Sequence, residues 1–207
     1  MCTGCDAGGG RQAHELTVND QIFETVVTTV AADGRVHVAP MGVRYQSSWV
    51  VLMPFKPSTT LDNVLTTRHA VLNRLTDSRI FAGCVTGRRT WPTLPAERVA
   101  GVRLASALSH VELALDEHLD EPQRPVLRMA RVHEVAHAPF LGLNRAQHAV
   151  VEGAVLVSRL NMLPHEKVDT EMAYLQIAID KTAGPDEREA WGWLREAIAA
   201  HRAKAAR

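Results

Sequence analysis

The sequence has few cysteines, no surplus of either charge and no long apolar run, and each absence narrows the class of protein. Only three of the 207 residues are cysteine, and this odd number argues against a fold held together by disulfides. The 23 basic and 23 acidic residues cancel, so the overall charge favours neither nucleic acid nor an anionic membrane as a partner.

Targeting and nucleotide-binding signals are also missing. No segment approaches the roughly 20 apolar residues of a membrane-spanning helix, and the first residues lack the basic and then apolar pattern of a signal peptide. We therefore expect a cytoplasmic protein with no nucleic-acid or membrane partner. The sequence contains no glycine-rich dinucleotide fingerprint, no phosphate-cradling loop of nucleotide hydrolases and no serine-nucleophile elbow.

The first 16 residues are rich in glycine and small polar residues without helical or strand periodicity, which predicts a disordered tail. Cys2 and Cys5 form a CxxC pair in this tail. Because no second cysteine pair or nearby histidine pair completes four ligands, we predict no metal site. The role of the two cysteines stays open.

Residues 17–140 carry the signals of strands. Two β-branched segments, 22–30 and 36–39, flank Asp33-Gly34 and predict a hairpin. Short helices are predicted at 58–67 and 77–84, and a proline-bearing loop is predicted at 88–95. The remaining predicted strands are at 49–53, 70–75, 107–115 and 126–136.

From about residue 141 the apolar spacing becomes helical and continues to residue 207. Three helices are predicted in this helical subdomain, with Gly184 as the C-cap of the second and Pro185 opening the third. Strands followed by helices indicate the α+β class rather than an alternating α/β fold.

Ser58, Thr59 and Thr60 lie at a predicted helix start, close to Lys56. Hydroxyl groups, free backbone amides and the helix dipole together suit a phosphate group. The same residues are also consistent with an ordinary helix N-cap, in which Ser58 accepts from a backbone amide and the threonines face solvent.

The segment 39–43, Ala-Pro-Met-Gly-Val, ends the second predicted strand with small and apolar residues. A planar ring would be able to approach this backbone and bond its amides and carbonyls. A bulge or a sheet edge is the alternative, because proline and glycine are expected there too.

Taken in order, these elements resemble the FMN-binding split barrels of the flavin-reductase type, and more closely a family known as domain of unknown function 447 (DUF447). The resemblance covers about residues 22–200. The segments that carry it are ETVVTT at 24–29, APMGV at 39–43, STTLDN at 58–63, NRLTD at 73–77, NRA at 144–146, SRL at 158–160 and KTAGP at 181–185.

The resemblance implies a split β-barrel over residues 17–140, a helical appendage and a homodimer with FMN near the subunit interface. It implies no known reaction and identifies no catalytic residue. Carried over to this sequence, the cofactor contacts are Ser58, Thr59 and Thr60 to the phosphate and Met41, Gly42 and Val43 to the ring, with Asn63 and Asn73 ordering the site.

Arg145, His148 and Arg159 lie in the first helix after the barrel, and Glu152 lies one turn beyond His148. They are candidates for binding a small substrate, since an arginine suits a carboxylate or phosphate. A salt-bridged network that fixes the helices to the barrel is the alternative. The sequence thus predicts an FMN-dependent oxidoreductase acting on a small organic molecule, with a non-catalytic carrier or sensor of flavin, or of another phosphate-bearing ligand, as the rival interpretation.

Overall fold

The structure is a computed structural model that describes residues 21–205, so the predicted tail with Cys2 and Cys5 lies outside the described residues. Within these residues, eight strands and five helices follow one another. They are β1 (Phe23–Val30), β2 (Val36–Gln46), β3 (Trp49–Leu52), α1 (Thr59–Thr67), β4 (His69–Arg74), α2 (Arg79–Val85), β5 (Thr93–Pro95), β6 (Val102–Leu104), β7 (Ser109–Leu119), β8 (Val126–Ala136), α3 (Arg145–Ser158), α4 (His165–Thr182) and α5 (Pro185–Ala205).

Six strands form a closed antiparallel barrel in the order β1-β2-β3-β8-β7-β4, and β5 and β6 form a separate two-stranded sheet. The predicted hairpin is confirmed, with β1 pairing along its whole length with β2. Its turn contains Gly34 at a φ of 85°, a backbone conformation that a residue with a Cβ rarely adopts.

The barrel interior is apolar because alternate residues of each strand face inward. Val27 of β1, Leu72 of β4 and Leu113 of β7 are fully buried there. Helix α1 closes one end of the barrel and adds Leu61 and Val64 to the same core. The helix start predicted at Ser58 therefore also places this segment against the barrel.

The four other helices form a second core with the outer face of the β1–β2 hairpin. Helix α2 contacts β2, and α3 and α5 pack on α2 and on each other, while α4 packs mainly on α3. Val26 and Val38 point outward from the hairpin into this core, which contains Ile80 of α2 and Trp191 of α5. Gly153 lets α3 approach α5 closely, because a Cβ at this position would lie 2.9 Å from the Trp191 ring. Burial in the shared core therefore holds the helices in place.

Two details differ from the sequence-based expectation. The segment 88–95 was predicted as a loop, but Thr93–Pro95 forms β5 by pairing with β6. Gly184 was predicted as a C-cap, yet α4 ends with Ala183 in an extended conformation. The backbone N–H of Gly184 instead donates to Glu187 Oε2 (2.8 Å), so the glycine belongs to the start of α5.

Between residues 21 and 205, no helix combines the length and the apolar character needed to cross a lipid bilayer. Helix α5 is the longest of the five at 21 residues, and its sequence alternates charged and apolar side chains, as expected for a helix packed on one side only.

Buried polar side chains fasten the β6 region to the outer face of the barrel. Asn73 on β4 is fully buried. Its Nδ2 donates to the Val26 carbonyl of β1 (3.1 Å), and its Oδ1 accepts from the Leu104 amide of β6 (2.7 Å). One amide side chain thus joins β1, β4 and β6, which accounts for a buried asparagine in an apolar strand.

Glu112 on β7 fastens the loop before β6 to the barrel in a similar way. Its carboxylate is fully buried and accepts from the backbone amides of Glu97 (2.6 Å), Arg98 (2.7 Å) and Val99 (2.8 Å). His110 Nε2 lies 3.2 Å from the same carboxylate. Burial opposes ionisation of Glu112, but these hydrogen bonds outweigh it and hold the pKa of the carboxyl below its usual value.

Replacing Glu112 by glutamine is expected to destabilise the protein by about 2–4 kcal/mol at pH 7, because an amide group would then face backbone donors. A carboxyl whose pKa falls on folding stabilises the fold above its unfolded-state pKa, and this contribution is lost as the pH falls through the lower folded-state pKa. The difference in the free energy of unfolding between the natural protein and Glu112→Gln should therefore narrow below about pH 4.5.

Urea unfolding of both proteins at pH 7 and at acidic pH measures this difference. Glu121→Gln, in the exposed turn between β7 and β8, is the matched control and should change stability by less than about 0.5 kcal/mol. An equally small effect of Glu112→Gln would show that the carboxylate does not hold the loop.

Candidate functional site

A cavity of about 530 Å³ lies between the start of β1, the segment after β4 and the first turns of α3. We call it the β1–α3 pocket. Its polar lining includes Glu24, Ser78, His148 and Glu152, and its aromatic lining is Phe23, Phe81 and Phe140. The strand alternation that points Val27 into the barrel also points Glu24 outward, toward this pocket.

Two carboxylates dominate the charge of the pocket. Partial burial, and next to it the negative charge of Glu152, raise the pKa of Glu24, while the positive charge of Arg159 lowers it. Both glutamates are exposed residues, and within residues 21–205 neither has a hydrogen bond or an ion pair through its side chain. The wall of the pocket therefore carries two like charges, which Arg159 offsets in part.

Ser78 adds a buried polar atom to the same pocket. The residue precedes α2 but has helical backbone angles (φ −67°, ψ −13°), so its hydroxyl does not cap the helix. Its side chain is 3% exposed, and its Oγ has no hydrogen-bond partner among the described residues. An unpaired buried hydroxyl costs free energy unless a ligand or water bonds to it.

A second opening, of about 450 Å³, adjoins the first and shares Phe23 and Glu24 with it. Two cations line it. Arg131 lies over the Tyr45 ring at 5.1 Å from its centroid, and Arg74 Nε donates to the Tyr45 hydroxyl (3.1 Å). Arg74 also forms an ion pair with Glu134, so this opening contains charges of both signs, with Glu24 on the wall that it shares with the first pocket.

The predicted phosphate segment lies at the N-terminus of α1. Ser58 is its N-cap and accepts from the Leu61 amide (3.3 Å). Thr59 is exposed, whereas Thr60 is buried. Lys56 pairs with Asp120. The structure therefore shows the capping role of Ser58, and contact of this segment with phosphate stays a prediction.

Asn63 lies one turn further along α1, and its Nδ2 donates to Thr29 Oγ1 of β1 at 2.9 Å. Both side chains are buried. This bond joins α1, whose N-cap is Ser58, to β1. The first residues of β1, Phe23 and Glu24, line the β1–α3 pocket. Asn63 and Asn73 thus each donate a hydrogen bond to a residue of β1. For each of them, a direct contact with a ligand stays a prediction.

The predicted ring segment forms a strand edge in β2. Strand β3 pairs with β2 only from Val43 onward, so the edge of β2 over residues 36–42 on that side has no strand partner among the described residues. The side chains of Met41 and Val43 face the barrel core. A planar ligand would therefore meet this segment through its backbone.

Gly42 brings the ring segment next to the β1–α3 pocket. It pairs with Glu24 across the hairpin. A Cβ at Gly42 would lie 2.6 Å from Ile22 Cγ2 and 3.5 Å from Glu24 Oε1. Only a glycine at position 42 leaves room for Ile22 at this distance. The predicted ring segment and the β1–α3 pocket therefore lie side by side on the β1–β2 hairpin.

Two of the three predicted substrate residues share an opening. Arg145 and His148 line a cavity of about 360 Å³ together with Glu152 and Tyr174. His148 and Glu152 also line the β1–α3 pocket, so the two cavities adjoin. Arg159 is the C-cap residue of α3, at the other end of the helix. The sequence analysis placed Glu152 beside His148, because residues four apart share a helix face, but it did not single out Glu24 or Ser78.

No group of three or more histidine, cysteine, aspartate or glutamate side chains between residues 21 and 205 is arranged to hold a metal ion. The described site consists of carboxylates, hydroxyls, strand backbone and aromatic rings. These groups suit an organic ligand.

Two family models match the sequence. The one described as "Protein of unknown function (DUF447) N-terminal domain" matches residues 23–138, and the one described as "Protein of unknown function (DUF447)" matches residues 144–196. The border between them coincides with the segment that joins β8 to α3. No curated protein matches this sequence.

Solved structures show the same fold. An FMN-bound DUF447 protein of Methanosarcina mazei superposes with a TM-score of 0.74 at 19% identity, over 87% of this chain and 96% of that one. A 2-nitrobenzoate 2-nitroreductase of Pseudomonas fluorescens gives 0.50 at 19% identity, over 58% and 67%. A protein of Shewanella frigidimarina with a split barrel domain gives 0.50 at 11%, over 55% and 66%. The chain is a split barrel with a helical appendage.

Proposed function

The chain belongs to the DUF447 family, and from this premise we propose that it is an FMN-binding flavoprotein. The observation that carries the proposal is the likeness, over 87% of this chain, to a protein described as FMN-bound. The groups at the site suit such a ligand, because FMN combines a phosphate with a flat ring.

The proposed phosphate contacts are the hydroxyls and amides at the start of α1. Ser58, Thr59 and Thr60 lie where the helix dipole favours a negative charge. The ring would lie along the edge of β2 at Met41 and Gly42, where the backbone has no neighbouring strand on that side, next to Val43, where pairing with β3 begins. Bound flavin supplies electron-transfer chemistry, and the protein supplies binding and orientation.

Ser58→Ala combined with Thr59→Val should weaken FMN binding while the barrel stays folded. Each lost bond to the phosphate should cost about 1.5–3 kcal/mol. Fluorescence titration of the flavin-free protein with FMN measures the loss. Thr66→Val is the control, because this exposed threonine of the same helix bonds only to the Asp62 carbonyl.

Ser58→Asp separates the two roles of the residue. Aspartate is a good N-cap, so the helix should stay as stable as in the natural protein. Its negative charge would repel a phosphate, so FMN affinity should fall at least as far as in the double variant. Unchanged affinity in folded Ser58→Asp protein would show that the phosphate lies elsewhere.

We propose further that the protein is an oxidoreductase acting on a small organic molecule. The structural likeness to a nitroreductase supports this proposal at the level of the fold. The β1–α3 pocket beside Gly42 offers room for a second molecule next to the proposed ring position. A non-catalytic flavin carrier or sensor is the alternative, and it would need no such pocket.

Electron transfer distinguishes the two functions. In the absence of oxygen, NADH, NADPH or dithionite should bleach the visible absorbance of the bound flavin, and a specific organic acceptor should restore it faster than dissolved oxygen does. A screen of small metabolites and conjugated heterocycles identifies the acceptor. If none of them outpaces oxygen, the carrier or sensor function is the better description.

A homodimer is part of the same proposal, because a lone barrel would leave one face of a flavin ring in water. Exposed apolar side chains, among them Leu143, Tyr174 and Ile177 around one opening, support self-association. Light scattering of the flavin-loaded protein should give twice the mass of the chain. The subunit interface of such a dimer should bury more than roughly 1,000 Å². A monomeric mass would contradict this part of the proposal.

A further inference from the structure

The β1–α3 pocket has the charge of a cation site. Glu24 and Glu152 both line it, both are exposed residues, and the side chain of neither forms a hydrogen bond or an ion pair within the described residues, although Arg159 offsets part of the charge at Glu24. Their mutual repulsion contributes to the raised pKa of Glu24, after burial. A bound cation would relieve this repulsion, since it would oppose the two negative charges.

A second feature of the pocket is independent of these carboxylates. The Oγ atom of Ser78 is buried in the wall and has no hydrogen-bond partner within residues 21–205. Buried hydroxyls in folded proteins are almost always bonded. An N–H donor of a ligand would satisfy this oxygen.

The remaining wall is apolar and aromatic. Phe23, Phe81 and Phe140 come from three different segments and surround the same cavity. Aromatic rings favour a flat ligand and also attract cations over their faces. The pocket therefore combines a flat apolar wall with two acceptors of positive charge.

We propose that the β1–α3 pocket binds a small, flat ligand through a cationic nitrogen group, such as an amidinium, guanidinium or ammonium, held by Glu24 and Glu152 and assisted by Ser78. The ligand is a substrate only if the proposed flavoprotein function is correct; its binding as a cation does not depend on that function. An anionic ligand at Arg145 or Arg159 is the rival, and the same experiment tests it.

Benzamidine and benzoate are matched probes, because both carry a phenyl ring and differ in the sign of the charged group. Isothermal titration calorimetry of the full chain, with and without added FMN, should show benzamidine binding at least roughly tenfold more tightly than benzoate. Glu24→Gln and Glu152→Gln should each weaken benzamidine binding several-fold, and the double variant should weaken it further.

Glu121→Gln removes the same charge from an exposed turn and should leave benzamidine affinity unchanged. Equal or tighter binding of benzoate, no binding of benzamidine, or a benzamidine affinity insensitive to both pocket variants would each overturn the proposal. Thermal melting confirms that every variant is folded. The visible flavin absorbance of the same samples reports FMN binding separately, so failure of the cation site and failure of the flavin site are distinguishable.

Discussion

Strand β1 is the element on which the rest of the structure depends, because both of its faces are buried in different cores. Val27 points into the barrel, whereas Val26 points into the core formed with the helices. Pairing with both β2 and β4 closes the barrel. Any shift of its register by one residue would exchange these two faces and separate the helices from the barrel.

The outward face of β1 also connects packing with the site. Next to Val26 along the same face lies Glu24, which lines the β1–α3 pocket. The side chains that pack against the helices and those that line the pocket thus follow one strand face. This continuity explains why the pocket lies at the border between barrel and helices, where α3 contributes His148 and Glu152.

The polar side chains of this protein fall into two sets, which differ in whether they have hydrogen-bond partners. Asn73 and Glu112 are fully buried and fully bonded, and they stabilise the attachment of the β6 region. Glu24, Glu152 and Ser78 are left without such partners in the described chain. A buried polar group without a partner reduces stability unless a ligand or water completes its bonding. This contrast is the basis of the ligand site proposed at the β1–α3 pocket.

The sequence by itself determined the class of the fold, the family and the main elements, because hairpin signals such as Asp33-Gly34, β-branched runs and helical spacing act locally. It also predicted the helix start at Ser58. Only the tertiary structure decided how these elements meet: that β5 is a strand, that Arg145 and Arg159 lie apart, and that Glu24 and Glu152 share a pocket with Ser78. Those relations join residues distant in the chain, and local periodicity carries no information about such contacts.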